Sequence, residues 1–239
     1  MLLAALDLGN SRLHAALFAE TPAGVLLVDR RDADKPSSAF FRQWRVPVAE
    51  VVYSSVRPEA DRELERAVRT GWKRRARKMV RDFPAAIRNL TRKPRETGGD
   101  RLANAVAAWH RCRRACVVVD LGTAITVEVV NRRGEFVGGA IAPGLSAMTR
   151  SLYNGASLLP LVAPRPRADI GRDTQSSIEA GLYAAGRGLI GVGRHLAGGP
   201  ARLFGTGGDA KWFAPLFDEI VPELTLEGVA LSWLKARRP

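Results

Sequence analysis

The chain has 239 residues, of which 46% are hydrophobic and 26% are charged, and this composition is typical of a folded globular protein rather than a disordered one. Its 37 Lys and Arg against 24 Asp and Glu give a net charge of +13. No apolar run approaches the roughly 20 residues that a membrane helix needs, and Asp7 comes too early for a secretory signal. Two cysteines, Cys112 and Cys116, are too few for a disulfide framework or a four-ligand zinc site. We therefore expect a soluble, cytoplasmic protein without a membrane partner.

The positive charge raises the question of a nucleic-acid partner. Only six of the 37 basic residues are lysine, and a GC-rich genome produces such an excess of arginine without selection for phosphate binding. The densest basic stretch is 72–81, and no zinc-finger spacing, zipper heptad or RNA-binding aromatic motif accompanies it. Such a stretch is usually a solvated face, so a nucleic-acid partner is disfavoured.

Hydrophobic patterns and turn residues predict an alternation of strands and helices. In the first part of the chain we predict strands at 2–6 and 13–18 joined by the turn Asp7–Ser11, a strand at 49–53, and helices at 59–70 and 101–113. Strands at 117–119 and 125–130, joined by Asp120–Ala124, come next, followed by a hairpin turn at 131–134 and a special turn at 138–144. The rest of the chain is predicted as a loop at 160–170, a long buried helix at 178–196, a glycine turn at 205–209 and a short helix at 227–236. The apolar residues of the long helix recur at intervals of four and three, and they are Ile178, Leu182, Ala185, Leu189, Val192 and Leu196.

One short segment occurs twice in the chain. Residues 5–11 are Ala-Leu-Asp-Leu-Gly-Asn-Ser, and residues 118–124 are Val-Val-Asp-Leu-Gly-Thr-Ala. In each copy an apolar run leads into Asp-Leu-Gly, short polar residues follow, and apolar residues resume. The repetition predicts an α/β protein of two duplicated halves, 1–115 and 116–239, each of which opens with a strand–turn–strand.

The two Asp-Leu-Gly turns suit the chemistry of phosphate and metal ions. An aspartate at the end of a buried strand, followed by glycine, places a carboxylate beside backbone that a ligand can approach closely, and turn N–H groups can bind anions. One such turn alone is more often an ordinary hairpin, but two matched copies favour a site for phosphoryl transfer, which depends on positioning and charge neutralisation. The chain has neither the P-loop nor the dinucleotide-binding glycine motif.

The tetrapeptide Gly98–Arg101 precedes the helix predicted at 101–113. Asp100 can be the N-cap of that helix, which stabilises it by about 1 kcal/mol. Alternatively, Asp100 accepts a proton from a substrate hydroxyl, while Arg101 binds a substrate carboxylate. The tetrapeptide alone leaves both interpretations open.

Seven motifs occur in one order along the chain. They are Asp7-x-Gly-Asn-Ser11, Ser54-Ser-Val-x-Pro58, Pro94-x-x-x-Gly98-x-Asp-Arg101, Asp120-x-Gly-Thr-Ala124, Gly138-Gly-x-Ile-x-Pro-Gly144, Gly171-x-x-Thr174 and Thr206-Gly-Gly208. Each motif is weak by itself, but the ordered set resembles the type III pantothenate kinase family of the acetate-kinase/sugar-kinase/heat-shock-ATPase superfamily.

This resemblance implies two RNase H-like halves of the actin-like ATPase type, with mixed sheets flanked by helices and an ATP cleft between them. It implies transfer of the ATP γ-phosphate to the primary hydroxyl of pantothenate, which gives 4′-phosphopantothenate in the first step of coenzyme A biosynthesis. It also implies Mg²⁺, a monovalent cation (K⁺ or NH₄⁺), and a homodimer with the substrate site at its interface.

The resemblance also implies roles for individual residues. Asp100 would be the general base, Asp120 would bind the monovalent cation, Asp7 would help to hold magnesium, and Thr174 would contact pantothenate across the dimer interface. The implied ATP-binding residues are Asp7, Leu8, Gly9, Asn10, Ser11, Arg12, Leu13, His14 and Thr123, and the implied substrate-binding residues are Gly98, Gly99, Asp100, Arg101, Thr174 and Thr91.

Three positions depart from the family's usual pattern. Thr91 occupies a position where many members have an aromatic residue, His14 one where lysine is frequent, and Gly99 one where alanine is common. Two other functions remain open: a nucleic-acid-binding or regulatory protein, which the charge suggests, and a superfamily kinase that acts on a sugar or another acid. The Gly98–Arg101 and Thr174 motifs favour pantothenate.

Overall fold

The computed structural model describes residues 1–237, which form two compact units. The first unit comprises Met1–Arg111 and the chain from Glu223 onward, and the second comprises Cys112–Pro222. Each unit contains strands and helices, as the sequence predicts. No helix within residues 1–237 is both long and apolar enough to cross a membrane.

The first unit contains one mixed sheet with the strand order β3-β2-β1-β4-β5. The pairs β1–β2 and β2–β3 are antiparallel, whereas β1–β4 and β4–β5 are parallel. The elements of this unit are β1 (Leu2–Leu8), β2 (Leu13–Thr21), β3 (Gly24–Ala33), α1 (Ser38–Arg42), β4 (Glu50–Ser55), α2 (Asp61–Trp72), β5 (Ala76–Lys78), β6 (Arg88–Asn89), α3 (Gly99–Cys112) and α6 (Leu224–Ala236), with 3₁₀ turns at Pro58–Ala60 and Pro94–Glu96.

The second unit repeats this topology with the strand order β9-β8-β7-β10-β11. The pairs β7–β8 and β8–β9 are antiparallel, and β10 lies parallel to both β7 and β11. Its elements are β7 (Cys116–Leu121), β8 (Ala124–Val130), β9 (Glu135–Pro143), α4 (Leu145–Gly155), α5 (Thr174–Leu196), β10 (Arg202–Thr206) and β11 (Glu219–Ile220), with a 3₁₀ segment at Ala210–Leu216. The shared strand order confirms the duplicated fold.

Strand β1 is apolar on both faces because both of its faces are covered. One face packs into the main hydrophobic cluster of the first unit, where the Trp72 ring packs at a tilt against the rings of Phe41 and Trp44. Helix α6 packs against β1 and α3. A Cβ on Gly228 of α6 would overlap the backbone of Ala103 in α3, so the glycine permits this close packing. Helix α6 therefore belongs to the first unit, although the sequence-based division assigned its residues to the second half.

Helix α5 buries a different face from the one predicted. Ile178 and Leu182 are buried as expected, but Val192 is 41% exposed and Leu196 is 46% exposed. The buried face continues instead through Gly186 and Gly193. These glycines lie against Phe213 and Val117, where a Cβ would be too close, so small residues rather than large apolar ones set the helix–sheet distance.

The turn predicted at 138–144 is wrong, because Gly138–Pro143 form the second part of β9. Gly138 (φ 122°) and Gly139 (φ 158°) adopt a backbone that other residues avoid, and a register shift beside them bends the strand pair. Only Gly144 lies outside the strand, as the N-cap of α4. The hairpin turn at 131–134 is confirmed, since the Gly134 N–H donates to the Asn131 carbonyl.

Candidate active site

The first Asp-Leu-Gly turn connects β1 and β2. Leu8 pairs with Leu13, and the Gly9 N–H closes the turn by donating to the Arg12 carbonyl at 3.0 Å. Asn10, Ser11 and Arg12 are exposed at its tip. The turn therefore presents short polar groups and backbone to solvent at one end of the sheet.

The side chains of Leu8 and Leu13 do not belong to the exposed part of this turn. They are 1% and 0% exposed, and both lie in the hydrophobic core. Any contact that these two predicted ATP-binding residues make with a ligand is therefore restricted to their backbone. Their side chains anchor the turn instead.

Asp7 is held by the neighbouring parallel strand. Asp7 on β1 stands opposite Ser54 on β4, and the Ser54 hydroxyl donates to the Asp7 carboxylate at 2.5 Å. Ser54 belongs to one of the seven motifs, but the sequence assigns it no role. Its contact with Asp7 follows from the register of β1 and β4, and the sequence of one strand does not contain that register.

His14 faces Asp7 across the antiparallel pair. Its ring Nδ1 lies 2.7 Å from the carboxylate of Asp32, which is its opposite residue on β3. This contact uses Nδ1, and Nε2 lies on the other side of the imidazole ring. A carboxylate thus orients the side chain that replaces the frequent lysine of the family pattern.

Helix α3 brings Gly98–Arg101 to the same end of the sheet. A Cβ on Gly99 would lie 3.7 Å from the Ser54 Cβ and 3.7 Å from the Met79 methyl, so the first turn of the helix packs beside the residue that holds Asp7. An alanine would make ordinary contacts at position 99. The structure thereby brings Gly99, and with it the first turn of α3, next to the residue that holds Asp7.

Asp100 is the second residue of α3 rather than its N-cap, which corrects one of the two interpretations drawn from sequence. Its Oδ1 accepts the Arg101 N–H at 2.8 Å. Burial raises the pKa of Asp100 above its ordinary value, and the hydrogen bond and positive charge of Arg101 oppose that rise. A carboxylate with a raised pKa is a better proton acceptor than an ordinary one.

Thr91 lies in a small hydrogen-bond network next to Gly98. Its hydroxyl donates to the Asn89 side-chain oxygen at 2.8 Å, and the Asn89 amide donates to the Thr97 hydroxyl at 3.0 Å. The network ties the segment before Gly98 to Thr91.

The second Asp-Leu-Gly turn, between β7 and β8, is one residue shorter than the first. Leu121 pairs with Ile125, and the Gly122 N–H donates to the Ala124 carbonyl at 3.0 Å. Asp120 therefore stands opposite Thr126. Both turns begin with Asp-Leu-Gly, but they reach the second strand after different numbers of residues.

Two other glycine segments meet at the second turn. Gly207 has φ +85°, and a Cβ there would lie 2.5 Å from the Asp120 carboxylate. Gly144 donates its N–H to the Thr123 carbonyl at 3.1 Å. Asp120 and Thr123 are thus brought together with the Thr206–Gly208 and Gly138–Gly144 motifs, although these are far apart in sequence.

Asp209 is a residue of this region to which sequence reasoning gave no role. Its N–H donates to the Leu121 carbonyl at 3.0 Å, which fixes it beside the turn. Burial raises the pKa of Asp209, and the charge of Lys211 opposes the rise. The only sequence feature that indicated this region was the run of glycines before Asp209.

Thr174 lies at a different place in the second unit. It is the first residue of α5, whose N-cap Asp173 forms a reciprocal capping box with Ser176. Thr174 lines a cavity of about 780 Å³ between α4 and α5, with a mainly apolar lining. Pro143, which precedes Gly144, also lines it, so the cavity adjoins the second turn.

No group of three or more His, Cys, Asp or Glu side chains in residues 1–237 could enclose a metal ion. Asp7 and Asp120 each stand near the end of a strand beside a turn. Magnesium in kinases is commonly held by one or two carboxylates together with waters and substrate phosphates. The residues present fit that mode of binding, in which the nucleotide completes the site.

Comparison with known proteins decides the family. Residues 3–192 match the family described as type III pantothenate kinase. The chain belongs to the type III pantothenate kinase family. A type III pantothenate kinase of Geobacter sulfurreducens is 43% identical over 152 residues, which is 60% of this chain and 60% of that protein. One from Anaeromyxobacter sp. (strain K) is 36% identical over 192 residues, 77% of this chain and 76% of the relative.

Solved structures confirm the fold of this pantothenate kinase family member. A conserved Campylobacter jejuni protein, named for the Baf family of transcriptional activators, has a TM-score of 0.62 at 20% identity and covers 95% of this chain and 94% of its own. The ROK hexokinase of Thermus thermophilus has a TM-score of 0.51 at 14% identity over 99% and 100% of the two chains. These likenesses show the predicted α/β fold class.

Proposed function

We propose that the protein phosphorylates pantothenate with ATP to give 4′-phosphopantothenate, the first step of coenzyme A biosynthesis. The observation that carries the proposal is the packing of Gly99, in the first turn of α3, against Ser54, whose hydroxyl donates to Asp7. Asp100, the next residue of that turn, has a raised pKa because it is buried. Family membership supplies the substrate.

The first unit provides the proton acceptor and one phosphate turn. Asp100 takes the proton from the pantothenate hydroxyl as the hydroxyl oxygen attacks the γ-phosphorus, the bond from that phosphorus to the β,γ-bridging oxygen breaks, and ADP leaves. Arg101 pairs with the pantothenate carboxylate. Residues 9–12 and His14 contact ATP phosphates through N–H groups and side chains. Asp7, oriented by Ser54, would hold Mg²⁺, which when bound would supply neutralisation of phosphate charge.

The second unit provides the other turn. Asp120 binds K⁺ or NH₄⁺, and Thr123 contacts ATP. Gly207 and Gly144 support this role because both lie against the turn without side chains that would displace Asp120 or Thr123. A monovalent cation beside a nucleotide offsets phosphate charge without the strict geometry of magnesium.

The cavity at Thr174 supports a homodimer with the pantothenate site at its interface. Leu152 lines this cavity and is 39% exposed. Leu158, next to the lining residue Leu159, is 93% exposed, and exposed apolar side chains at a cavity mark an interaction surface. A second copy that covers them would place Thr174 at the subunit boundary.

A product assay tests the proposal. Purified protein is incubated with ATP, Mg²⁺ and K⁺ and with pantothenate, hexoses or acetate, and phosphorylated products are identified by mass. Phosphorylation of pantothenate alone is the expected result. Turnover of a sugar or acetate in preference to pantothenate would contradict the proposed substrate.

A cation exchange tests Asp120. Replacement of K⁺ by Na⁺ should lower kcat/KM for ATP in the wild-type protein, and Asp120→Asn should abolish the difference between the two ions. Lys35→Gln, at an exposed position, is a matched control that should keep it. Equal rates in both ions for the wild type would refute the cation site.

The contacts of the basic stretch 72–81 do not favour a second function. Four of its six basic side chains bind within the first unit: Arg74 to the Val48 carbonyl at 3.0 Å, Arg77 to Glu50 at 2.5 Å, Lys78 to Asp61 at 2.6 Å and Arg81 to Glu65 at 2.8 Å. Phosphates of a nucleic acid would have to compete with these carboxylates. The contacts favour the interpretation of a solvated face.

A further inference from the structure

Four polar residues stand in one row across the sheet of the first unit. Asp32 on β3 pairs with His14 on β2, and His14 pairs with Asp7 on β1. Asp7 in turn pairs with Ser54 on β4. Residues that stand directly opposite on neighbouring strands have their side chains on the same face of a sheet. The row therefore puts Asp32 and His14 on the face that carries Asp7, beside the first Asp-Leu-Gly turn.

A carboxylate fixes one proton of the His14 ring. The Nδ1 atom of His14 lies 2.7 Å from Asp32 Oδ1, and an ionised carboxylate only accepts hydrogen bonds. Nδ1 therefore carries a proton and donates to Asp32. In the neutral ring Nε2 then has no proton and is an acceptor. The His14 side chain is 34% exposed, so a ligand can reach the ring.

Asp32 is itself held in place by a second contact. The Arg30 guanidinium lies 3.5 Å from Asp32 Oδ2 and donates to Glu223 at 2.9 Å. Glu223 immediately precedes α6, so the contacts run from the start of that helix to the imidazole of His14. A carboxylate with both oxygens engaged turns less freely than a solvated one, and Asp32 therefore sets the plane of the ring that it holds.

We propose that Asp32 is a positioning residue for the nucleotide and acts through His14. It holds the imidazole in the Nδ1–H form and in one plane, with Nε2 on the side of the ring away from Asp32. The neutral ring reaches a phosphate oxygen of ATP through a water, which donates one hydrogen bond to Nε2 and one to the phosphate. A lysine at this position would instead donate directly. The inference rests on the proposed function, which places ATP phosphates at the first turn.

A pair that only stabilised the sheet would behave differently. His14 and Asp32 are cross-strand neighbours, and such pairs contribute to sheet stability. A purely structural pair affects the melting temperature and has no specific effect on nucleotide binding. Charge gives a further distinction, because removal of the Asp32 carboxylate by itself strengthens the binding of an anion. A loss of ATP affinity in its absence has the opposite sign and indicates positioning.

The tautomer of His14 is measured in the full chain without nucleotide. Nitrogen-15 NMR of histidine-labelled protein distinguishes a protonated ring nitrogen from an unprotonated one, and His14→Ala identifies the signals of His14 among those of the three histidines. In the wild type we expect a protonated Nδ1. In Asp32→Asn the amide can donate to Nδ1, so the proton should move to Nε2. An unprotonated Nδ1 in the wild type, or an unchanged tautomer in Asp32→Asn, would overturn the proposal.

Nucleotide binding is measured by calorimetry with MgATP, without pantothenate and at raised ionic strength, which weakens long-range charge effects. Asp32→Asn should raise the Kd about fivefold, the factor that the loss of one ordinary hydrogen bond gives. The KM for MgATP should rise by the same factor, with kcat nearly unchanged. His14→Ala should have a similar effect, and the double variant should bind no more weakly than His14→Ala, because Asp32 acts through the ring.

A matched control and the melting temperature of each variant complete the test. Asp169→Asn removes the same charge from a side chain that is 79% exposed in the second unit, and it should keep the wild-type Kd. An unchanged Kd in Asp32→Asn, or a double variant whose Kd rises by the product of the two single factors, would overturn the role of Asp32. Failure of the folded wild type to bind MgATP would refute the proposed function itself, so the two failures are distinguishable.

Discussion

Replacement of Asp100 by asparagine is the most direct test of the chemistry. Asparagine keeps the shape of the side chain, and its carbonyl oxygen can still accept the Arg101 N–H that Asp100 accepts at 2.8 Å. It cannot take a proton from a hydroxyl. The substitution therefore removes the proposed general base and leaves the first turn of α3 in place.

The expected loss of rate follows from the role of a base. General-base catalysis contributes about 10²–10⁴-fold, so kcat should fall by that factor, which corresponds to about 2.7–5.4 kcal/mol in the activation barrier. The KM for pantothenate should change little, because Arg101 and Thr174 remain. A coupled assay of ADP release at saturating ATP, Mg²⁺ and K⁺ measures both constants.

The thermal stability of Asp100→Asn distinguishes loss of the proposed base from unfolding of the variant. The folded-state pKa of Asp100 is raised by burial, so the protonated form stabilises the fold below the unfolded pKa of about 3.9, and this contribution is lost as pH rises through the folded pKa. At neutral pH the ionised carboxylate is therefore less favourable than a neutral amide. The melting temperature of Asp100→Asn at pH 7 should equal or exceed that of the wild type.

The pH profile and a control complete the test. The acidic limb of the wild-type profile should lie above the position that an ordinary aspartate gives, and it should vanish in Asp100→Asn. Glu59→Gln, on a side chain that is 67% exposed, is the control and should keep wild-type kcat. A kcat for Asp100→Asn within about threefold of the wild type would refute the assignment of the base.

Three further substitutions test other parts of the site. Gly207→Ala should lower the free energy of unfolding by about 1–3 kcal/mol in urea denaturation, because φ is +85° and the new methyl meets Asp120. Gly208→Ala is the control and should leave stability unchanged, because a methyl there has open space. Equal effects of the two substitutions would contradict this reasoning. Ser54→Ala should raise the KM for MgATP about fivefold, the effect of one lost hydrogen bond of ~1 kcal/mol, with kcat/KM for pantothenate at saturating ATP nearly unchanged; an unaltered KM for MgATP would show that Ser54 does not orient Asp7. Leu158→Asp, at a side chain that is 93% exposed, should shift the protein from dimer to monomer in analytical ultracentrifugation, and a dimer of unchanged affinity would place the interface elsewhere.

The strands and the two turns could be predicted because their signals are local. An apolar run that ends in Asp-Leu-Gly predicts a strand and a turn in each copy, and both form, at β1 and β7. The α5 helix was also predictable from apolar spacing, but its buried face was not. Gly186 and Gly193 pack against Phe213 and Val117, and a hydrophobic pattern gives glycine no weight even where close approach makes it essential.

The grouping of site residues depended on strand register and helix packing. Ser54 holds Asp7 only because β4 lies parallel to β1 in that register, and Asp120 meets Gly207 only because β10 pairs with β7. Each of these pairs joins residues from separate strands. No motif in either strand specifies its partner or its alignment.

The sequence by itself determined the duplicated α/β fold, the two acidic turns and the position of Asp100 near the start of a helix, because each depends on adjacent residues. Tertiary structure alone decided that Asp100 is in the first turn of α3, that this turn packs through Gly99 against Ser54, and that burial raises the pKa of Asp100. Those properties arise from desolvation and from contacts across the sheet. They depend on which distant segments pack together, and local sequence does not encode that choice.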